Sequence, residues 1–487
     1  MLFTEKYWHN KNQRQGISPQ LRLLQILGAL TLVTVGWFMG WGINNGFLSL
    51  ILLLIFGSGI AFIGVNYPLY GLMGLLLVAP LMGFIMRLGI IPNVGVATDI
   101  IMMACLGGFI FKKKMLPEVG QYKQALVVLP LIYLLWGIVE IINPQNPSLG
   151  VALFGYRGDV FPAITFFLAL FLIEDRHLPL LKLFFLVLIW LCGLYAIKQM
   201  IFGFTAAEAW WIRETPVSST GGIRYFSTMI SAGVFGTYML FMFFIALSWF
   251  NRRQGFWLNF FYLVTSLLCV FCVFACQVRG IWVGFSAGLM FYLLFKKGSK
   301  IYRFLAFSVA VASIFILFDI AAKDTTEDPF LAMVCSLRNS KEDVSVQGRL
   351  GALAATWIPT VLGHPLGLGA GAVGGSRGQA QSALGQSDSR SVYITDNYYA
   401  TIATNYGWPG LFILLSVFIA AAVSAYKISC REDFPHHSLA ASLCALMIAV
   451  IVLTFSGGIE TIPVSIYFWF FVGLLAQWNS RLAEGDA

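Results

Sequence analysis

The sequence predicts an all-α polytopic membrane protein, and three observations carry that expectation. Of 487 residues, 59% are hydrophobic and 11% are charged, against about 25% charged in a soluble domain. Mean hydropathy is +0.80, so the chain lacks the charge to cover a water-facing surface. Apolar runs of the ~20 residues that a bilayer demands recur along the chain. One long polar stretch, residues 321–407, interrupts them.

In chain order the candidate spans are 22–42, 46–65, 69–86, 95–111, 124–143, 158–174, 178–203, 227–249, 257–276, 280–296, 301–320, 408–426, 438–456 and 460–478. That makes about fourteen transmembrane helices within a range of about twelve to fourteen, since only Asn66-Tyr67-Pro68 separates the second from the third. The chain divides into 1–320 (helices with short loops), 321–407 (a large outer loop) and 408–487 (the last helices and a C-terminal tail). The polar lead before the first apolar run has no small-residue cleavage site after it. It reads as an uncleaved first helix.

Charge supplies the orientation. Lys112–Lys114, Arg176 with Lys182, Arg252–Arg253, Lys296–Arg303, Lys427 with Arg431, and Arg481 fall on alternate loops, all on one side. The positive-inside bias makes that side cytoplasmic, puts both termini there, and leaves 321–407 outside. The net charge of +9 is therefore loop bias. No basic run interleaves with aromatics, so no nucleic-acid partner is expected. The eight cysteines are scattered. Cys269-x-x-Cys272 sits in an apolar helix without His or acid nearby, which suits packing better than metal or disulfide.

The short outer loops carry Arg87, Arg157, Arg213, Arg224 and Arg279 but no lysine. Arginine offers a planar fork for phosphate or carboxylate, where lysine offers a point charge. Interface anchoring is the alternative for any one of them. Gln277-Val278-Arg279-Gly280 leaves almost no loop, so Arg279 is held at the outer face by two rigid helix ends.

Within the long loop, Arg349, Leu353 and Trp357 recur at i, i+4 and i+8, as in a helix lying at the interface. Gly367, Gly369, Gly371, Gly374 and Gly375 allow tight turns and backbone N–H groups that approach an anion. A flexible loop has the same composition, and no Gly-Lys-Ser/Thr makes a P-loop. Asp396 precedes Asn397, Tyr398 and Tyr399. It is placed to act as a general base or, with Thr395, as a helix cap. His364 stands alone and there is no Asp-x-Asp, so neither a metal site nor a cofactor is expected. Asp99, Glu140, Lys198 and Asp319, at or inside span ends, are the residues of a rival class, a membrane transporter. No inverted repeat or paired Gly/Pro-broken span accompanies them.

Read together, Arg279-Gly280-Ile281-Trp282, Gly348-Arg349 with Trp357, His364-Pro365-Leu366-Gly367-Leu368-Gly369-Ala370-Gly371, and Asn397-Tyr398 followed by Gly407-x-x-Gly410 resemble the O-antigen ligase/polymerase superfamily. Arg224-Tyr225-Phe226-Ser227 resembles a further motif before the mid-chain helix. The resemblance spans about residues 150–425 in motif order and membrane side.

It implies a GT-C-like, metal-independent glycosyltransferase in the bacterial inner membrane. Its donor would be a glycan on a polyprenyl diphosphate, and its site would lie on the periplasmic face. By motif match Arg279 and Arg349, and then Arg224, would ligate the diphosphate. Arg157 is added by position, and Gly367, Gly369, Asn397 and Tyr398 complete the expected substrate-binding set. Asp396 stands where ligases carry the histidine base, which points to a polysaccharide polymerase acting on exopolysaccharide or O-antigen. An O-antigen ligase or oligosaccharyltransferase, moving glycan to lipid A core or protein, is the alternative. Implied partners are the lipid-linked glycan as donor and acceptor, the bilayer, and a chain-length regulator or flippase.

Overall fold

The computed structural model describes residues 58–59, 61–89, 94–111, 124–214, 224–250, 255–295, 357–375 and 397–485. The spans expected at 22–42 and 301–320, most of 46–65, Arg349 and Asp396 lie outside the described residues. Among the described residues there is no strand, and every expected span that falls within them coincides with a helix.

In chain order these are α1 (Pro68–Arg87), α2 (Val94–Phe111), α3 (Ala125–Ile141), α4 (Leu149–Asp159), α5 (Ile164–Leu172), α6 (Leu178–Phe202) and α7 (Ala206–Glu214). There follow α8 (Ala232–Leu247), α9 (Phe256–Ala275), α10 (Arg279–Phe295), α11 (Ile358–Gly363), α12 (Tyr398–Cys430), α13 (His437–Leu453) and α14 (Val464–Gly485). By length and apolarity, four stretches suffice to cross a membrane: α1, Asp175–Phe202, α9 and α12. The pair α4 and α5, bent by 41°, would make a fifth, broken span. Gly95–Phe111, α3, α8, Arg279–Leu294 and α13 are apolar but shorter. At 1.5 Å per residue the shortest rise only ~24 Å against a hydrocarbon core of ~30 Å.

Three boundaries differ from the sequence expectation. The span placed at 158–174 starts at Leu149, where Ser148 caps the helix by accepting from the Val151 N–H at 3.3 Å. Its Gly- and charge-bearing first half has the composition of a loop. The helix placed at 408–426 begins ten residues earlier, at Tyr398, and passes through a break at Gly407. The last span begins at Val464, which leaves Glu460 in the preceding loop.

Two helices form the centre. On α8 every residue from Phe235 to Ala246 is buried, and on α14 every residue from Val464 to Trp478. Helices apolar on all sides belong inside a bundle. They meet through the Tyr238 and Tyr467 rings, edge-on at 5.2 Å. At one end of the bundle, Arg481 donates to Asp175 at 2.7 Å, His436 meets the same carboxylate at 3.1 Å, and Ser438 bonds the Ser248 carbonyl. Three loops that charge had assigned to one side thus meet each other.

α10 packs on α13 through a row of glycines at i, i+4 and i+8. A Cβ at Gly284 would lie 2.8 Å from the Leu453 Cβ and 2.9 Å from the Ala449 carbonyl oxygen. One at Gly288 would lie 2.7 Å from the Ala445 carbonyl oxygen. One at Gly280 would occupy the position of the Ser456 hydroxyl. Such spacing lets backbones approach where lipid offers no hydrophobic drive for association. Gly284→Leu or Gly288→Leu should therefore destabilise the protein by about 1–3 kcal/mol or more. A melt of the detergent-solubilised variants should show a drop of several degrees, whereas Ser286→Leu on the exposed face of α10 should melt like the parent.

Candidate functional site

The opposite end of the bundle gathers most of the expected site residues that are described. Its scaffold is the break in α12. Gly407 has φ +66°, a left-handed conformation costly for any residue with a Cβ. The break leaves carbonyls without helical partners, and the Gly-rich segment supplies them. Leu368 N–H donates to the Thr404 carbonyl at 2.8 Å and Gly369 N–H to the Asn405 carbonyl at 3.1 Å. Trp408 N–H donates to Pro365 at 2.9 Å, and Trp136 Nε1 donates to the Tyr406 carbonyl at 2.8 Å. The Asn405 carboxamide then pairs with both backbone groups of Val373, at 2.9 and 3.2 Å.

The glycines of this segment are thus seats. At Gly367 (φ +101°) a Cβ would lie 2.6 Å from the Asn405 carbonyl oxygen, and at Gly369 (φ +95°) it would collide with Asn146. Their N–H groups, expected for an anion, are donated within the chain: Gly367 to His364 at 2.9 Å, Gly369 to Asn405.

Asn397 is the N-cap of α12, accepting from the Ala400 N–H at 3.2 Å. The cap expected at Thr395 or Asp396 is therefore supplied one or two residues later. Tyr398 is buried, shares a hydrogen bond with Tyr133, and donates its N–H to the Thr454 carbonyl at 3.0 Å. Beneath them lies Asp159, whose Oδ2 accepts from Asn405 at 3.3 Å and from Tyr406 at 3.2 Å. Sequence reasoning singled out Arg157 and passed over the acid two residues on, Asp159. Arg157 is committed elsewhere, its Nε donating to Asp99.

Arg224 opens a clamped segment. The buried Arg87 donates to the Met229 and Ser227 carbonyls at 2.7 Å each and lies over the Phe226 ring at 4.8 Å. Gln199 bonds both backbone groups of Ser227, a non-glycine residue at φ +53°. The clamp holds Arg224 within electrostatic reach of Cys276, on the turn that delivers Arg279. That turn has Gln277 at φ +52°. It is tied down by Trp282, whose indole N–H donates to the Val273 carbonyl at 2.9 Å. The Arg-Gly-x-Trp spacing thus has a physical reading. The tryptophan fixes the turn, the glycine admits Ser456, and the arginine opens the helix.

Between the first turns of α8 and α10 and the segment 453–461 lies a cavity of about 170 Å³. Ser231, Thr237, Gly280, Ser456, Gly457, Gly458, Glu460 and Thr461 bring its polar lining. Glu460 sequence reasoning missed altogether, because it fell at the edge of an apolar run. The flanking Gly457-Gly458 and Pro463 were the available signal of a turn. Burial pushes its carboxyl above the ordinary range, and its Oε2 has no hydrogen-bond partner among the described residues. Among those residues no group of three or more His, Cys, Asp or Glu is placed to hold a metal ion.

Of the charges set aside for a transport path, Asp319 lies outside the described residues and the other three have local partners. Asp99 pairs with Arg157, Glu140 accepts from Asn143 at 2.8 Å, and Lys198 pairs with Glu208 at 3.1 Å. Thr205 and Glu208 cap α7 reciprocally, with Thr205 N–H donating to Glu208 at 2.7 Å, the arrangement of a capping box.

Residues 264–415 match the family model described as O-Antigen ligase. The match runs from α9 through the Arg279 turn and the Gly-rich segment into α12, and it supports membership of the O-antigen ligase/polymerase superfamily. No curated protein matches the chain.

The Glu208 cluster has a pH signature. Burial raises its carboxyl, but bonds from Thr205, Gln199, Lys198 and Tyr195 outweigh that and bring it to about 2. A carboxyl lower in the fold than in the unfolded chain stabilises above its ordinary value near ~4.3, and that contribution fades as pH falls toward the folded value. Glu208→Gln should therefore melt lower than the parent at neutral pH. The gap should close on acidification from pH ~5 downward, as thermal melts across pH would show.

Proposed function

We propose, from membership of the O-antigen ligase/polymerase superfamily as premise, that this chain is a polysaccharide polymerase of the bacterial inner membrane. It would transfer a glycan from polyprenyl diphosphate to a sugar hydroxyl of the next lipid-linked repeat unit. The acceptor oxygen attacks the anomeric carbon of the donor. The bond from that carbon to the diphosphate oxygen breaks, the polyprenyl diphosphate leaves with the electron pair, and the hydroxyl proton passes to a base.

Arg279, Arg224 and Arg349 are the groups for the leaving diphosphate, since bidentate, charge-assisted bonds offset charge that grows as the bond breaks. Asp396 is the base, and no cofactor takes part. Arg157, held by Asp99, serves the same face more remotely, and Gly367 and Gly369 serve by seating their segment on α12. A flippase would deliver the donor, and a chain-length regulator would act on the product.

The observation that carries this reading is the placement of Arg279. A tight turn stapled by Trp282 presents it beside a polar cavity. Asn397, the neighbour of Asp396, caps a helix whose Tyr398 N–H is tied to Thr454 next to that cavity. A ligase would use the same groups with a different acceptor. The transporter reading has no support from Asp99, Glu140 or Lys198, each of which has a partner.

Deletion of the gene should leave lipid carriers bearing single repeat units. A ligase would instead leave long polymer on the carrier, and sizing the lipid-linked glycans separates the two. Arg279→Ala and Arg349→Ala should abolish long polymer at normal protein levels in the membrane, and Asp396→Asn should slow elongation by at least about 10²-fold. Full-length polymer from both arginine variants would overturn the mechanism. A fluorescent protein fused to the C-terminus should fold and fluoresce, as expected for a cytoplasmic end.

A further inference from the structure

We infer that the cavity between α8, α10 and the 453–461 segment is the acceptor-sugar subsite, with Glu460 receiving a hydrogen bond from a hydroxyl or amide of an uncharged sugar ring. This rests on the glycosyl-transfer reading. The cavity holds about 170 Å³, many times the ~10–15 Å³ that one water needs, so it is made for more than a water or a bare ion. Its lining alternates hydroxyls (Ser231, Thr237, Ser456, Thr461) with glycine backbone and the apolar edges of Val234, Ile281 and Leu453. That mixture suits a sugar, which has polar rims and an apolar face.

Glu460 is the only acid among the lining residues. Its carboxylate folds over Gly458, where any side chain would collide with it. Its Oε2 is buried yet finds no donor among the described residues. A buried acceptor left unpaired is costly, and a ligand hydroxyl or amide N–H would pair it. Gly280, whose Cα faces Ser456, joins the cavity to Arg279, the residue before it. A sugar in the cavity would therefore sit beside a diphosphate on Arg279, with its remaining hydroxyls toward the donor.

The probe is the oligosaccharide released by mild acid from the host's lipid-linked repeat unit, free of diphosphate and lipid. It should raise the melting temperature of the purified full-length protein in detergent. It should do so equally for Arg279→Ala, which has lost polymerisation but keeps the cavity. Glu460→Gln and Thr461→Val should show no shift, or need at least tenfold more oligosaccharide for half the shift. Gly457→Leu gives a test independent of the acid. A Cβ there meets nothing closer than the Leu453 carbonyl oxygen at 3.9 Å, so the variant should fold, fill the cavity and lose the shift. No shift in the parent, or an undiminished shift in both Glu460→Gln and Gly457→Leu, overturns the subsite. Long polymer from Arg279→Ala would overturn the transfer mechanism and leave the binding result standing.

Discussion

The close approach of α10 and α13 is the constraint on which the rest of the candidate site depends. Three glycines on one face of α10 bring its backbone against Ala445, Ala449, Leu453 and Ser456. Because helices in lipid gain little from apolar burial alone, such contact must come from shape. Once the two helices touch, the first turn of α10 and the segment after α13 share one small volume. Arg279 and Glu460 then become neighbours of one cavity, although about 180 residues separate them in the chain. Trp282 adds the final restraint by tying the turn back to α9.

A second constraint is the accounting of backbone hydrogen bonds. A helix interrupted within a membrane protein exposes carbonyls that have no water to turn to. Around Gly407 the Thr404, Asn405 and Tyr406 carbonyls and the Trp408 N–H find partners in Leu368, Gly369, the Trp136 indole and Pro365. The Gly-rich segment is therefore structural glue as well as a neighbour of the site. Its glycines are required because seating places backbone against backbone, with no room for a Cβ at Gly367 or Gly407.

The spans were legible because hydrophobic runs of membrane length are hard to mistake, and charge bias grouped the loops as the ion pairs at Asp175 group them. The motif order pointed to the stretch that the family model matches, residues 264–415. Other features were not legible for physical reasons. A glycine row within an apolar run looks like ordinary composition until a partner helix is in place. Glu460 lay at the margin of a hydrophobic stretch, where a single acid reads as a span end. Whether Gly367 and Gly369 offer their N–H groups to an anion or to the chain depends on what the fold brings opposite, and here it brings the broken turn of α12. Asp99, Glu140 and Lys198 looked like unpaired charges only because their partners Arg157, Asn143 and Glu208 could not be assigned from sequence.

The break at Gly407 also divides α12 mechanically. Residues 398–406 are fastened to the Gly-rich segment, to Trp136 and to Thr454, whereas the part beyond Pro409 packs along the bundle. The first half of this helix therefore belongs with the Gly-rich segment rather than with the span behind it. Tyr398 also ties this half to the segment after α13, through its N–H on the Thr454 carbonyl. Replacing Gly407 would therefore disturb the seat of the Gly-rich segment first, and the span beyond Pro409 second.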